Sequence, residues 1–277
     1  MIERLKQRFD SLLKVFEIIY IIENTKPAAR MMVFEDEYNS TRSFLKELNL
    51  YIGRSDFKVS KIDSSPYSNK GEIIKGKEKG YYFAYISKNK DVIKRLKQYE
   101  KDKDHINLGL SLGYPKCCCE FFDKQHKTQE KRFNDYILPA LENSKGFIFP
   151  FYNNVASRYF DLALLSHFPC NFDCKHSIDI AKNNLKVIEK NSEEYSAILR
   201  GMLKGGIIYT ENYGVFLLRN AKIRDNMIYY ESVMGSQNNK MSVLLKSNSQ
   251  IKIIDKNHIK VEKQDIHTKN IGFMYFI

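Results

Sequence analysis

All five cysteines of the chain fall in two short words, GYPKCCCEFF at 113–122 and HFPCNFDCKHS at 167–177. If the two words serve one chemical purpose, the fold must carry Cys117 and Cys174 to the same place. That requirement constrains the topology more than any helix or strand propensity does. Clustered cysteines in a reducing compartment point to a metal or a catalytic role, not to a disulfide framework. A cytoplasmic, membrane-free protein is the expectation here. Residues 1–27 lack a small-residue cleavage site, and the longest apolar run, VFEIIYII at 15–22, contains Glu17 and is too short to span a bilayer.

The first word sets tandem cysteines at the expected start of a helix. Gly113 ends one helical stretch, and Pro115 suits the opening of the next because its missing N–H costs nothing in a first turn. Exposed backbone N–H groups and the positive dipole end favour the thiolate there, and the thiolate is the form that binds metal. Neighbouring helical residues differ by about 100° in direction, so Cys117 and Cys118 suit two corners of a large cluster better than one small ion. The second word is C-x3-C. One loop plus one helical turn is expected to put Cys170 and Cys174 on a common face. Two pairs make four thiolates, and Cys119 reads as a small apolar filler. Structural zinc sites usually draw on C-x2-C or C-x4-C knuckles, whereas four thiolates also suit a [4Fe–4S] cluster. A [4Fe–4S] cofactor is therefore the expectation, with zinc as the alternative.

Three resemblances bear on these words. The adenylyl-sulfate reductases bind such a cluster with a tandem Cys-Cys and a later cysteine pair, but this chain shows no nucleotide loop like theirs. CNFDCKHS resembles the C-x3-C-x2-C signature of radical S-adenosylmethionine enzymes, yet Ser177 stands where the third cysteine belongs. The block from LGYPKCC at 112–118, through YNN at 152–154, to SHFPCNFDCKHS at 166–177 resembles an uncharacterised microbial domain-of-unknown-function family with GYPxCC and HxPCxxxCxxS words. That resemblance implies no activity.

Other polar residues crowd the second word. His167 lies three residues before Cys170 and reads as a fifth ligand, a proton donor or a helix cap. Asn153, Asn154 and Arg158 follow an apolar connector, and Arg158 suits a carboxylate or phosphate; the bland reading is a capped helix with a solvated arginine. Asp173 and Ser177 flank Cys174 and offer hydrogen bonds to metal-bound sulfur. Together these suggest an iron–sulfur enzyme, in which Asn154, Arg158 and His167 position a small anionic substrate for sulfur transfer, lysis or reduction. The competing reading is a zinc-stabilised basic module without catalysis that binds RNA. Its support is the net charge of +12, which favours anionic partners and says nothing about fold.

The expected fold is α+β, in three parts: a mixed lobe at 1–104, a helical cysteine-bearing centre at 105–204, and a β-rich part at 205–277. Helical spacing runs through 2–22, 39–48, 89–100, 105–112, 130–143, 154–166 and the stretch after Cys174, and Asn191-Ser192 caps a further helix through Leu203. Residues 51–62 and 81–87 read as strands around a Gly-, Ser- and Lys-rich loop. From Gly205 onward, six apolar runs, KMSVLLK among them, suggest an antiparallel meander of five or six strands.

Overall fold

The computed structural model describes residues 1–62, 71–128 and 135–277. Residues 63–70 of the expected loop and the start of the expected helix 130–143 lie outside the described residues. The protein is α+β with a β-rich C-terminal part. Met1–Asp135 with Asn183–Ser192 form one compact unit, and Tyr136–Lys182 with Glu193–Ile277 form another.

The first unit holds α1 (Ile2–Lys6), α2 (Leu12–Ile22), β1 (Ala28–Phe34), α3 (Tyr38–Glu47), β2 (Tyr51–Lys61), β3 (Gly71–Ile73), β4 (Tyr81–Ser87), α4 (Lys90–Lys101), α5 (His105–Ser111) and α6 (Lys116–Thr128). The helix expected over 2–22 is two helices. Ser11 is extended and its Oγ accepts the Lys14 N–H at 3.3 Å, the arrangement of an N-cap, so a new helix starts there. Most of α2 is buried, and its one carboxylate, Glu17, is ion-paired with Lys26. The antiparallel sheet runs β1-β4-β2-β3. Met32, Val59, Phe83 and Tyr85 of the sheet share a core with Ile93 and Leu96 of α4 and with Leu108 and Leu112 around α5. Arg30 of β1 pairs with Glu100 of α4 at 2.6 and 2.9 Å. Burial pushes the Glu100 pKa up, but the charge and hydrogen bonds of Arg30 outweigh it and hold it below the usual range.

The second unit opens with α7 (Ile137–Glu142) and β5 (Ile148–Phe149) and receives the first half of α8 (Lys175–Asn191). After α9 (Glu193–Met202) come β6 (Gly205–Thr210), β7 (Gly214–Arg219), β8 (Lys222–Arg224), β9 (Met227–Tyr229), β10 (Ser232–Gly235), α10 (Lys240–Lys246), β11 (Gln250–Asp255), β12 (His258–Val261), β13 (Gln264–His267) and β14 (Ile271–Phe276). These strands make two sheets, β10-β7-β6-β14-β5 and β13-β12-β11-β9-β8. Ile208, Phe216 and Phe273 of the first pack with Ile228, Ile251 and Ile259 of the second.

Three expectations need correcting here. The single meander is two sheets, because β14 returns to pair with β6, antiparallel, and with β5, parallel. KMSVLLK is the helix α10: Asn239 caps it by accepting the Ser242 N–H at 3.1 Å, and Met241 and Leu245 are buried in the shared core. Residues 154–166 form no α-helix. Asn154 Oδ1 accepts the Ser157 N–H at 3.1 Å. A short 3-10 turn over Ala156–Phe160 then ends at Asp161, whose φ of 58° is left-handed, and irregular chain follows to Cys174.

Candidate metal centre

Both cysteine words meet helix starts. Cys117 and Cys118 lie in the first turn of α6, where the Cys118 and Cys119 N–H groups donate to the Pro115 carbonyl at 2.9 and 3.0 Å. Cys174 immediately precedes α8, and its carbonyl accepts the Ile178 N–H at 3.0 Å, the first bond of that helix. The backbone N–H groups left over at such ends stabilise thiolate charge.

The C-x3-C loop is held by its backbone and by the aromatic ring at its middle. The Phe172 N–H donates to Ser144 Oγ at 2.8 Å, and Asn153 Nδ2 donates to the Phe172 carbonyl at 2.9 Å and to the Cys174 carbonyl at 3.4 Å. Asn143 Nδ2 donates to the Cys170 carbonyl at 3.2 Å. The fully buried Phe172 ring stacks on Phe149 and meets Phe276 edge-on, with centroids 5.2 and 5.7 Å apart. Four hydrogen bonds over five residues leave the loop little freedom, which fixes the backbone of Cys170 and Cys174 relative to one another.

The four sulfurs of Cys117, Cys118, Cys170 and Cys174 all lie within 4.8 Å of one another, and those of Cys117 and Cys118 are 3.9 Å apart. Cys118 and Cys174 are buried, and Cys117 and Cys170 are partly exposed. All five cysteines carry thiols and not disulfides. The four together could bind a metal ion.

Cys119 stands outside this group. Its Sγ packs against Gly109 so closely that a Cβ there would sit 2.6 Å away. Burial, then the neighbouring Cys117 and Glu120, push its thiol pKa up to about 12. The neutral thiol is thus favoured by an apolar seat between α5 and α6.

No protein-family model, curated protein or solved structure matches this chain.

Several of the remaining polar residues hydrogen-bond within the fold. Asn154 Nδ2 donates to the Leu203 carbonyl at 2.7 Å. The Arg158 guanidinium donates to the Leu165 and His167 carbonyls at 3.2 and 3.4 Å and lies 4.3 Å over the Phe168 ring. His167 Nε2 and Ser177 Oγ share a buried hydrogen bond of 2.9 Å. Asn153 is fully buried, and Asp173 is exposed. The holders Asn143, Ser144 and Phe172 carry no sequence signal, because an exposed amide, a buried hydroxyl and an aromatic ring take on that role only once the folded chain brings them to the cysteine loop.

Proposed function

We propose that Cys117, Cys118, Cys170 and Cys174 bind one zinc ion in a closed tetrahedral site whose role is structural. The observation that carries this is the sulfur spacing. Zn–S bonds of about 2.3 Å put the four sulfurs of a tetrahedral site about 3.8 Å apart. The Cys117–Cys118 separation of 3.9 Å matches that edge, and no pair exceeds 4.8 Å. In a [4Fe–4S] cluster each thiolate sits on its own iron, with other irons and sulfides between, so the ligand sulfurs stand farther apart. Four protein ligands also leave no coordination position for a reacting group, which is the mark of a structural zinc and not a catalytic one.

The Asn154 amide, one terminal nitrogen of Arg158 and His167 Nε2 already bond to backbone and neighbouring side chains, which supports the same choice. The braced chain carries a net charge of +12, which suits a polyanionic partner such as RNA. We take the two words, GYPKCC and HFPCNFDCKHS, as the signature that such a family would share.

Elemental analysis of protein purified without oxygen tests this reading. The expected result is colourless protein with one zinc bound by thiolate, lost in Cys118→Ala and in Cys174→Ala together with a fall in melting temperature. Brown protein containing iron and acid-labile sulfide would instead establish the cluster. The absence of any thiolate-bound metal would end both readings.

A further inference from the structure

We propose a second metal site on the C-terminal sheet, built from Asp255, His258 and His267 and suited to a borderline divalent cation such as Zn2+. It uses none of the cysteines and does not depend on what they hold. Asp255 closes β11, His258 opens β12 and His267 closes β13, so all three come to one end of three adjacent strands. His258 pairs with Asp255 across one hairpin and with His267 across the next. One carboxylate oxygen and one nitrogen from each ring lie within 4.8 Å of one another. Imidazole nitrogen and carboxylate oxygen are the donors that zinc accepts beside thiolate.

Two further features mark the site as built. The first is Asp265, across from Lys260 on the edge strand β13, whose Oδ1 lies 2.5 Å from His258 Nε2. A carboxylate on one imidazole nitrogen orients the ring and leaves the other, Nδ1, as a more basic ligand, the usual arrangement behind a metal-bound histidine. The His267 ring stacks beside it, with centroids 4.5 Å apart. The second feature is the anchoring of the β11–β12 turn. Lys256 Nζ donates to the carbonyls of Leu141, Glu142 and Ser144 at 2.8, 3.0 and 3.0 Å, covering the C-terminal end of α7 as a cation should. Asn257 Nδ2 donates to the Ile271 carbonyl, and the Asn257 N–H donates to Asp255 Oδ1, both at 2.7 Å. Asp255 therefore holds the turn with one oxygen and has a second to offer a metal. Three protein donors leave a fourth tetrahedral position for water. In that respect this set differs from the four thiolates.

The test is a Zn2+ titration of the full chain, followed by NMR of the histidine ring nitrogens and by calorimetry. The expected result is a shift of the His258 and His267 ring signals on zinc addition, whatever the cysteines hold. A His258→Ala/His267→Ala double variant is expected to take up one equivalent fewer than the wild type. Asp265→Asn is expected to weaken this uptake by about 10- to 100-fold. Ring signals in the wild type that ignore zinc would overturn the proposal even if the double variant fails to fold. So would a folded double variant with wild-type uptake.

Discussion

At the scale of single residues, five cysteines divide by environment. Four sulfurs converge within 4.8 Å, and the fifth, on Cys119, is enclosed by α5. The sequence marks Cys119 as the apolar filler of the triplet but not what it packs against, because that depends on the close approach Gly109 allows. The raised thiol pKa of Cys119 makes a directional prediction. Unfolded cysteine ionises near about 8.5, whereas the folded thiol stays neutral up to about 12. Its contribution to stability is therefore complete below the unfolded value and is lost as pH rises through that window. Denaturant melts of the wild type and Cys119→Ala should show any advantage of the wild type shrinking as pH is raised from neutral towards about 11. Metal content should be the same in both. Loss of the metal in Cys119→Ala would show that the wrong thiol has been excluded.

At the scale of elements, helix starts and strand pairing do different work. Local signals were enough wherever a cap or a turn decided the matter: α4, α5, α6 and α9 fall close to their expected places, as do β2 and β4. They failed where two local readings competed. KMSVLLK has the apolar content of a strand, and Asn239 tips it to a helix by capping. Residues 154–166 have helical spacing, and Asn154 caps a first turn there, but the left-handed Asp161 ends it after one 3-10 turn and the chain takes the irregular course that reaches Cys170. The C-x3-C loop owes its shape to Asn153, so Asn153→Ala should lower zinc affinity by about 10-fold or more, with all four cysteines intact. A competition titration against a coloured chelator measures this. An unchanged affinity would mean that Ser144, Asn143 and the Phe172 ring suffice to hold the loop.

At the scale of the whole molecule, the surplus of positive charge is what an anionic partner would meet. Among the described residues many lysines and arginines are matched locally, as Lys79 is by Asp36 and Lys190 by Glu23, so the attraction is expected to be diffuse. Association with a generic RNA should weaken linearly in log–log form as salt rises, with a slope set by the phosphates neutralised. Fluorescence anisotropy across a salt series reads it. No binding at low salt would rule out RNA as a partner and would not bear on the four-cysteine centre. No helix among the described residues is long and apolar enough to cross a membrane. What the sequence by itself determined is that two separated pairs of thiols are on offer to a metal, and the α+β class, because thiols can be counted and apolar periods read along a chain. What only the tertiary structure decided is the spacing of the sulfurs and the company of Asp255, His258 and His267. Those depend on strand register and on loops held by distant side chains, and such contacts leave no local trace for a sequence to carry.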